Sequence, residues 1–299
     1  MTIPVAGATE GTGSERPTPA SVLGQIRTRS VLVGCPRSGS TLAHTAIMGH
    51  PNASVLSDEM PVYPFFYKGL STFTCGSEFD EEKAGGHRAL FDAMASICAD
   101  EHSTMLGVKC NARSVEQAHA VVRCMREHLP HHKVILTIRN DLVAQYGSLL
   151  SARMTGSWHS WNPGAARLRR KRPPLIRAMF VRYCLNSLEV NRVLRQLHSS
   201  HEVHECIYED VVADRNEQLL RLFDFLELGR MQITWLKGEK VKPPPQKYIR
   251  NYEKLSKVLT RLRDQHERDA VPAATRFMAG CIDRTSSLVY RAIGVLRRS

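Results

Sequence analysis

The sequence predicts a three-layer α/β domain in which a central parallel sheet lies between two layers of helices. Short runs rich in β-branched residues alternate with longer segments that have helical periodicity. The predicted strands are apolar almost throughout, which is typical of parallel strands covered on both faces. A glycine-rich turn directly after the first strand makes the expected fold P-loop-like.

The individual elements follow from these patterns. Four strands are predicted: Val31–Cys35, Met105–Cys110, Lys133–Ile138 and Val203–Tyr208. The predicted helices are Ser40–Gly49, Glu81–Asp100, Ser114–His128, Leu142–Arg153, Leu175–Leu197, Asn216–Glu227, Glu253–Arg263 and Ala274–Leu296. Because helices separate the strands, right-handed crossovers bring the carboxyl ends of the strands to one edge of the sheet, where we expect the functional site.

The chain divides into three predicted regions. Residues 1–25 are rich in Gly, Thr and Pro and lack the basic start and apolar core of a signal peptide, so we expect a flexible tail. Residues 26–255 form the expected main domain, and residues 256–299 form a helical extension packed on it. No apolar run approaches the ~20 residues of a membrane span. None of the eight cysteines belongs to a CxxC pair, and this favours reduced thiols and a cytoplasmic location.

The formal charge of +12 indicates an anionic partner. Every charged residue from Arg153 to Arg182 is basic, yet charge alone does not choose among nucleic acid, a membrane surface and a small molecule. The sequence lacks RNP-type and helix-turn-helix motifs, which disfavours a nucleic-acid-binding module. The amphipathic segment Ala274–Leu296 ends in arginines, so it is either a packing helix or a peripheral membrane contact.

The turn after the first strand is the main candidate for a binding site. It reads GCPRSGST, residues 34–41, and keeps the spacing of a nucleotide-binding loop except that Ser40 replaces the lysine. Such a turn aims backbone N–H groups at one point, and hydroxyl groups follow on Ser38, Ser40 and Thr41. Arg37 adds a permanent charge and a planar fork of donors. The segment therefore suits a tetrahedral oxyanion.

Two other loop chemistries fit the residues less well. A kinase or NTPase needs an acid at the end of a second strand to hold Mg²⁺, but the strand KVILTIRN ends in Arg139. A cysteine phosphatase needs an arginine six residues after its nucleophile, and Thr41 stands at that distance from Cys35. We interpret Cys35 as a small packing residue. The third alternative is a group-transfer donor whose phosphates are neutralised by cationic side chains of the protein rather than by a metal ion.

Four segments together resemble a known family. CPRSGST follows a strand, and HPNASVLSDE, ILTIRNDLVAQYGSLLSAR and YEDV come after it in order. This arrangement resembles the sulfotransferases that use 3′-phosphoadenosine 5′-phosphosulfate (PAPS), in particular the bacterial carbohydrate and lipopolysaccharide-type branch. The resemblance runs from about Val31 to Tyr252 and implies the sulfotransferase fold, with PAPS as sulfuryl donor and no metal.

The resemblance also implies donor-binding residues. Those matching the 5′-phosphosulfate loop are Arg37, Ser38, Gly39, Ser40 and Thr41. Arg139 and Ser148 match the pair that binds the 3′-phosphate, with Ser151 as the alternative serine. Tyr208 resembles a family tyrosine near the adenine, although a half-buried tyrosine at a strand end has the same pattern.

Sulfuryl transfer needs positive charge at the leaving group and a base for the acceptor hydroxyl. Arg37 fits the first role. Lys109, at the end of a predicted strand on the same side of the sheet, resembles a family lysine. For the base, the resemblance favours Glu59, with the adjacent Asp58 as an alternative. His44 is the rival because cytosolic relatives use histidine, although a histidine one turn into a helix is more commonly a core residue.

The acceptor is less defined. The segment TGSWHSWNPGAARLRRKRPP joins two tryptophans to a basic run, and aromatic rings stack on sugars while arginines pair with anions. We expect a glycan, a glycolipid or another hydroxylated small molecule, and no nucleic acid. The oligomeric state, with a homodimer as one option, does not follow from the sequence.

Overall fold

The fold is organised around a parallel sheet. A computed structural model describes residues 24–60, 99, 102–155, 177–234, 249 and 251–268. Within these ranges, five strands pair in the order β2-β3-β1-β4-β5, and every pairing is parallel. The strands are β1 Thr28–Gly34, β2 Ala53–Met60, β3 Met105–Asn111, β4 Lys133–Ile138 and β5 Val203–Ile207.

Helices connect the strands. They are α1 Ser40–Met48, α2 Val115–His128, α3 Leu142–Thr155, α4 Arg177–Leu194, α5 Tyr208–Ala213, α6 Arg215–Phe225 and α7 Tyr252–Glu267, with a 3₁₀ turn at Arg195–Ser199 after α4. Ser114 caps α2 by accepting a hydrogen bond from the Gln117 N–H, and Asp214 caps α6 in the same way through the Glu217 N–H.

The two faces of the sheet are covered by different helices, since side chains alternate along each strand. In β1, Val31 and Val33 belong to a buried cluster with α2 and α4. Leu32 between them faces α1 and α6, where Phe223 is fully buried. The predicted three-layer α/β fold with a central parallel sheet is therefore confirmed.

Helix α7 packs beside these layers. Leu255, Leu259 and Leu262 join a third cluster with side chains of α3 and α4, including Phe180. The helix begins at Tyr252, close to the predicted junction between the main domain and its extension. The division of the chain into regions stays a prediction, as does the cytoplasmic location.

Apart from shifts of a few residues at the ends of elements, two details differ from the sequence prediction. Strand β2 was not predicted, because its sequence ASVLSDEM is polar in part; it lies at the edge of the sheet, where a continuous apolar run is not required. Tyr208 was predicted to end the last strand, but it begins helix α5. The reason is that the pairing of β5 with β4 ends at Ile207 opposite Ile138, so no strand partner remains.

Several predicted features lie outside the described residues. They are residues 1–23 of the N-terminal tail, nearly all of the helix over 81–100, the tryptophan and arginine segment over 156–176, and the helix over 274–296. Among the described helices, none is long and apolar enough to cross a membrane. In the same part of the chain, no three His, Cys, Asp or Glu side chains are grouped so that they could hold a metal ion.

Candidate active site

The loop between β1 and α1 has the backbone of a compact anion-binding turn. Arg37 and Gly39 both have left-handed conformations, with φ of 69° and 104°. Gly34 is required at the start of the turn because a Cβ there would lie 2.2 Å from Thr137 Oγ1. Helix α1 begins at Ser40, so the loop leads directly into a helix N-terminus.

A buried hydrogen bond between two hydroxyl groups connects the loop to β4. Ser38 Oγ lies 2.7 Å from Thr137 Oγ1, and Thr137 donates its single proton to the Val33 carbonyl at 3.2 Å. Ser38 is therefore the donor in its bond with Thr137. Because Ser38 is only 1% exposed and its N–H bonds the Cys35 carbonyl, it stabilises the shape of the loop.

Helix α3 holds the other side of the loop. Gln145 is 1% exposed, and its Nε2 donates to the Pro36 carbonyl at 2.9 Å. Arg37 reaches the same helix, because its Nε donates to Ser148 Oγ at 3.0 Å. The structure thus joins two residues that the resemblance had assigned to separate ends of the donor. Ser151, the alternative serine, lies nearly one turn further along α3 and is half-buried.

Arg139 lies at the carboxyl end of β4 against an aromatic ring. Its guanidinium carbon is 4.2 Å from the centre of the Tyr208 ring, a cation–π arrangement. A Cβ at Gly39 would lie 2.8 Å from Tyr208 Cδ2, so the same ring also contacts the loop. Arg139 Nε is buried and has no hydrogen-bond partner among the described residues. A buried guanidinium N–H of this kind suits an oxyanion ligand.

Lys109 and Thr41 lie on the α1 side of the sheet. Lys109 is 6% exposed, and its Nζ donates to Thr41 Oγ1 at 3.3 Å. In the sheet, Lys109 is in register with Glu59 of β2, so the backbone of Glu59 lies one strand away. His44, one turn after Thr41 in α1, is 5% exposed.

Cys35 has the properties of a packing residue. It is 3% exposed, and its thiol contacts the Ser187 carbonyl at 3.9 Å and Asn191 Oδ1 at 3.7 Å. Burial raises the pKa of the Cys35 thiol to about 12. The helix N-terminus does not offset this burial, so the thiol is protonated at neutral pH and unsuited to nucleophilic attack.

Sequence reasoning missed two residues that shape this site, Thr137 and Gln145. Each is a polar residue among apolar neighbours of a buried element, KVILTI in one case and LVAQYG in the other. A polar residue in such surroundings must find a buried partner, and that requirement could have identified both.

Similarity to known proteins identifies the family of this chain. A family model described as "Sulfotransferase family" matches residues 31–232. A sulfotransferase of known crystal structure from Alicyclobacillus acidocaldarius is similar to the chain, with a TM-score of 0.47, 13% sequence identity, and coverage of 84% of this chain and 99% of that chain. No curated protein sequence matches at a significant level. The family match extends over more than half of the chain, so this protein belongs to the sulfotransferase family and is an enzyme of that class.

Proposed function

We propose that the enzyme transfers the sulfuryl group of PAPS to a hydroxyl group of a small-molecule acceptor. The observation that carries the choice of donor is the buried Nε of Arg139, which has no hydrogen-bond partner among the described residues and lies at the carboxyl end of β4 beside the loop. A second guanidinium, Arg37, extends from the loop to Ser148. Two cations at neighbouring positions fit a nucleotide that carries phosphate at both its 3′ and 5′ positions.

The proposed binding roles come from the resemblance, and the contacts of the structure support them. Loop N–H groups, Ser40, Thr41 and Arg37 bind the 5′ end of the donor, while Arg139 and Ser148 bind the 3′-phosphate. Ser38 and Gly39 maintain the conformation of the loop. Ser38 is hydrogen-bonded to Thr137 of β4, and Gly39 packs against the Tyr208 ring, where a Cβ would not fit. Tyr208, which is half-buried with Arg139 against its ring, is proposed to border the adenine.

The donor supplies an activated sulfuryl group on a phosphate leaving group. Arg37 and Lys109 stabilise negative charge at that leaving group, and the 3.3 Å contact of Lys109 with Thr41 supports this role. Holding both reactants in line lowers the entropic part of the barrier.

Glu59 is the proposed base for the acceptor hydroxyl. Its backbone register with Lys109 supports a location beside the loop, and the burial of His44 disfavours contact between that residue and an acceptor. We expect Glu59→Gln to abolish turnover and Asp58→Asn to retain it, measured as transfer from labelled PAPS. The opposite outcome would assign the base to Asp58.

The proposed acceptor is a glycan, a glycolipid or another hydroxylated metabolite, consistent with the bacterial carbohydrate-type branch. This part rests on Trp158, Trp161 and the basic run after them, all outside the described residues. A transfer assay across sugars, glycolipids and phenols identifies the class of acceptor.

Binding of adenosine 3′,5′-bisphosphate tests the donor. It should raise the melting temperature through preferential binding to the native state, whereas ATP with Mg²⁺ should not. Arg139→Ala should weaken bisphosphate binding by about tenfold or more, because charge-assisted bonds are lost. Arg126→Ala is the control, since this exposed arginine bonds the 3₁₀ turn and the adjacent Ser200, on the surface of the described residues. Stabilisation by ATP with Mg²⁺ instead would contradict the proposal.

A further inference from the structure

The turn that follows Arg139 is fixed by a carboxylate from another part of the chain. Asn140 and Asp141 connect Arg139 to helix α3. Glu209 accepts hydrogen bonds from both backbone N–H groups of this turn, at 2.9 Å from Asn140 N to Oε2 and 3.0 Å from Asp141 N to Oε1. The residue next to Arg139 therefore has its backbone orientation set by a two-point contact.

Helix α7 holds the same turn from a second direction. Tyr252 Oη donates to Asp141 Oδ2 at 2.8 Å, and the Arg263 guanidinium donates to the Asn140 carbonyl. The other oxygen of Asp141 caps α3 by accepting from the Ala144 N–H at 2.9 Å. The turn is thus tied to α3, α5 and α7 at once.

The charges of this arrangement call for an explanation. Glu209 and Asp141 bring negative charge next to Arg139, where a phosphate is proposed to bind. Like charges weaken anion binding, so these carboxylates do not serve the site through electrostatics. Their contacts are to backbone N–H groups and to Tyr252, which is the pattern expected of groups that set geometry.

We propose that Glu209 and Tyr252 are positioning residues that present the Arg139 guanidinium to the 3′-phosphate of the donor. Glu209 orients the backbone after Arg139, and Tyr252 couples the docking of α7 to the same turn. The inference rests on the proposed donor. It predicts that changes at either residue act selectively on ligands that carry a 3′-phosphate.

Glu209→Gln tests the first residue, with Asp210→Asn as the matched control. Both variants remove one negative charge from helix α5, and Asp210 is exposed. Glutamine has a single acceptor oxygen, so one of the two turn N–H groups loses its partner. We expect adenosine 3′,5′-bisphosphate to bind Glu209→Gln about fivefold to tenfold more weakly. Asp210→Asn should bind it as tightly as the wild type or slightly more tightly.

Tyr252→Phe tests the second residue by removing only the hydroxyl group. We expect bisphosphate affinity to fall about threefold to fivefold. Thr260→Ala is the control on α7, because the Thr260 hydroxyl bonds only the Ser256 carbonyl of the same helix in the contacts seen here. If Glu209→Gln does not fold, as judged by circular dichroism, the Tyr252 pair alone decides the question.

Adenosine 5′-monophosphate distinguishes positioning from general loosening of the site. It lacks the 3′-phosphate, so its affinity should be the same in Glu209→Gln, Tyr252→Phe and the wild type. Equal losses for both nucleotides, or bisphosphate binding in Glu209→Gln as tight as in Asp210→Asn, would overturn the inference. If the wild-type enzyme itself does not bind the bisphosphate, the proposed donor is wrong, which is a separate result.

Discussion

Thr137→Val removes the buried hydroxyl that holds the proposed anion-binding loop, residues 34–41, against the sheet. Thr137 is 1% exposed, and its Oγ1 lies 2.7 Å from Ser38 Oγ and 3.2 Å from the Val33 carbonyl. Valine has nearly the same shape but replaces the oxygen with a methyl group. The substitution therefore tests the hydroxyl pair with little change in volume.

The expected loss of stability follows from the contacts of Ser38 and Thr137. Ser38 is 1% exposed, so its hydroxyl cannot turn to bulk water once Thr137 Oγ1 is gone. A buried polar group without its partner costs about 1–3 kcal/mol. A methyl group also needs more than the 2.7 Å that separates the two oxygens, so Ser38 must shift and the loop with it. We expect the free energy of unfolding to fall by about 2–4 kcal/mol in total.

Urea unfolding followed by circular dichroism measures this change in stability. Isothermal titration with adenosine 3′,5′-bisphosphate measures the affinity of the loop for its proposed ligand. Thr137→Ser is the control, because it keeps the hydroxyl and loses only a methyl group worth about 1 kcal/mol. It should retain bisphosphate affinity, whereas Thr137→Val should lose it. Wild-type stability in Thr137→Val, or equal losses in the two variants, would show that the hydroxyl pair does not hold the loop.

Two further predictions concern ionisable groups. Hydrogen bonds from Arg192 lower the pKa of the Glu189 carboxyl from 4.5 to about 2, so its stabilising effect is present above pH 4.5 and lost as the pH falls toward 2. Glu189→Gln should cost about 1 kcal/mol at pH 7, allowing for solvent screening, and less at pH 3, in urea titrations where Glu253→Gln is the control. A pH-independent difference would contradict this. Cys35, with a thiol pKa of about 12, should resist iodoacetamide at pH 8 in the native protein by peptide mass mapping, and rapid labelling would show an accessible thiolate.

Local patterns predicted the central elements well. Strand β4 has the predicted bounds, and β1 and β3 differ from prediction by a few residues at their ends. Their buried, β-branched sequences carry enough information because both faces are covered. Strand β2 was missed since an edge strand needs no such pattern, and Tyr208 was assigned to a strand because its boundary depends on where the neighbouring strand ends.

In the candidate site, too, some features could be predicted from the sequence and others could not. The glycine positions, Arg37 and Arg139 could be predicted as site residues because spacing along the chain and strand ends are visible in the sequence. The contacts of Arg37 with Ser148 and of Arg139 with Tyr208 were not predicted. Neither contact leaves a periodic pattern, since each joins residues far apart in the chain.

The sequence by itself determined the α/β class, and it predicted an anion-binding turn after β1 and cations at the carboxyl ends of the strands. These properties arise from short-range sterics, from the alternation of side chains and from the parallel order of strands and helices. Only the tertiary structure decided that Ser38 faces Thr137, that Cys35 is buried too deeply to ionise, and that Glu209 and helix α7 hold the turn after Arg139. The physical reason is that burial and long-range hydrogen bonds depend on which distant segments pack together.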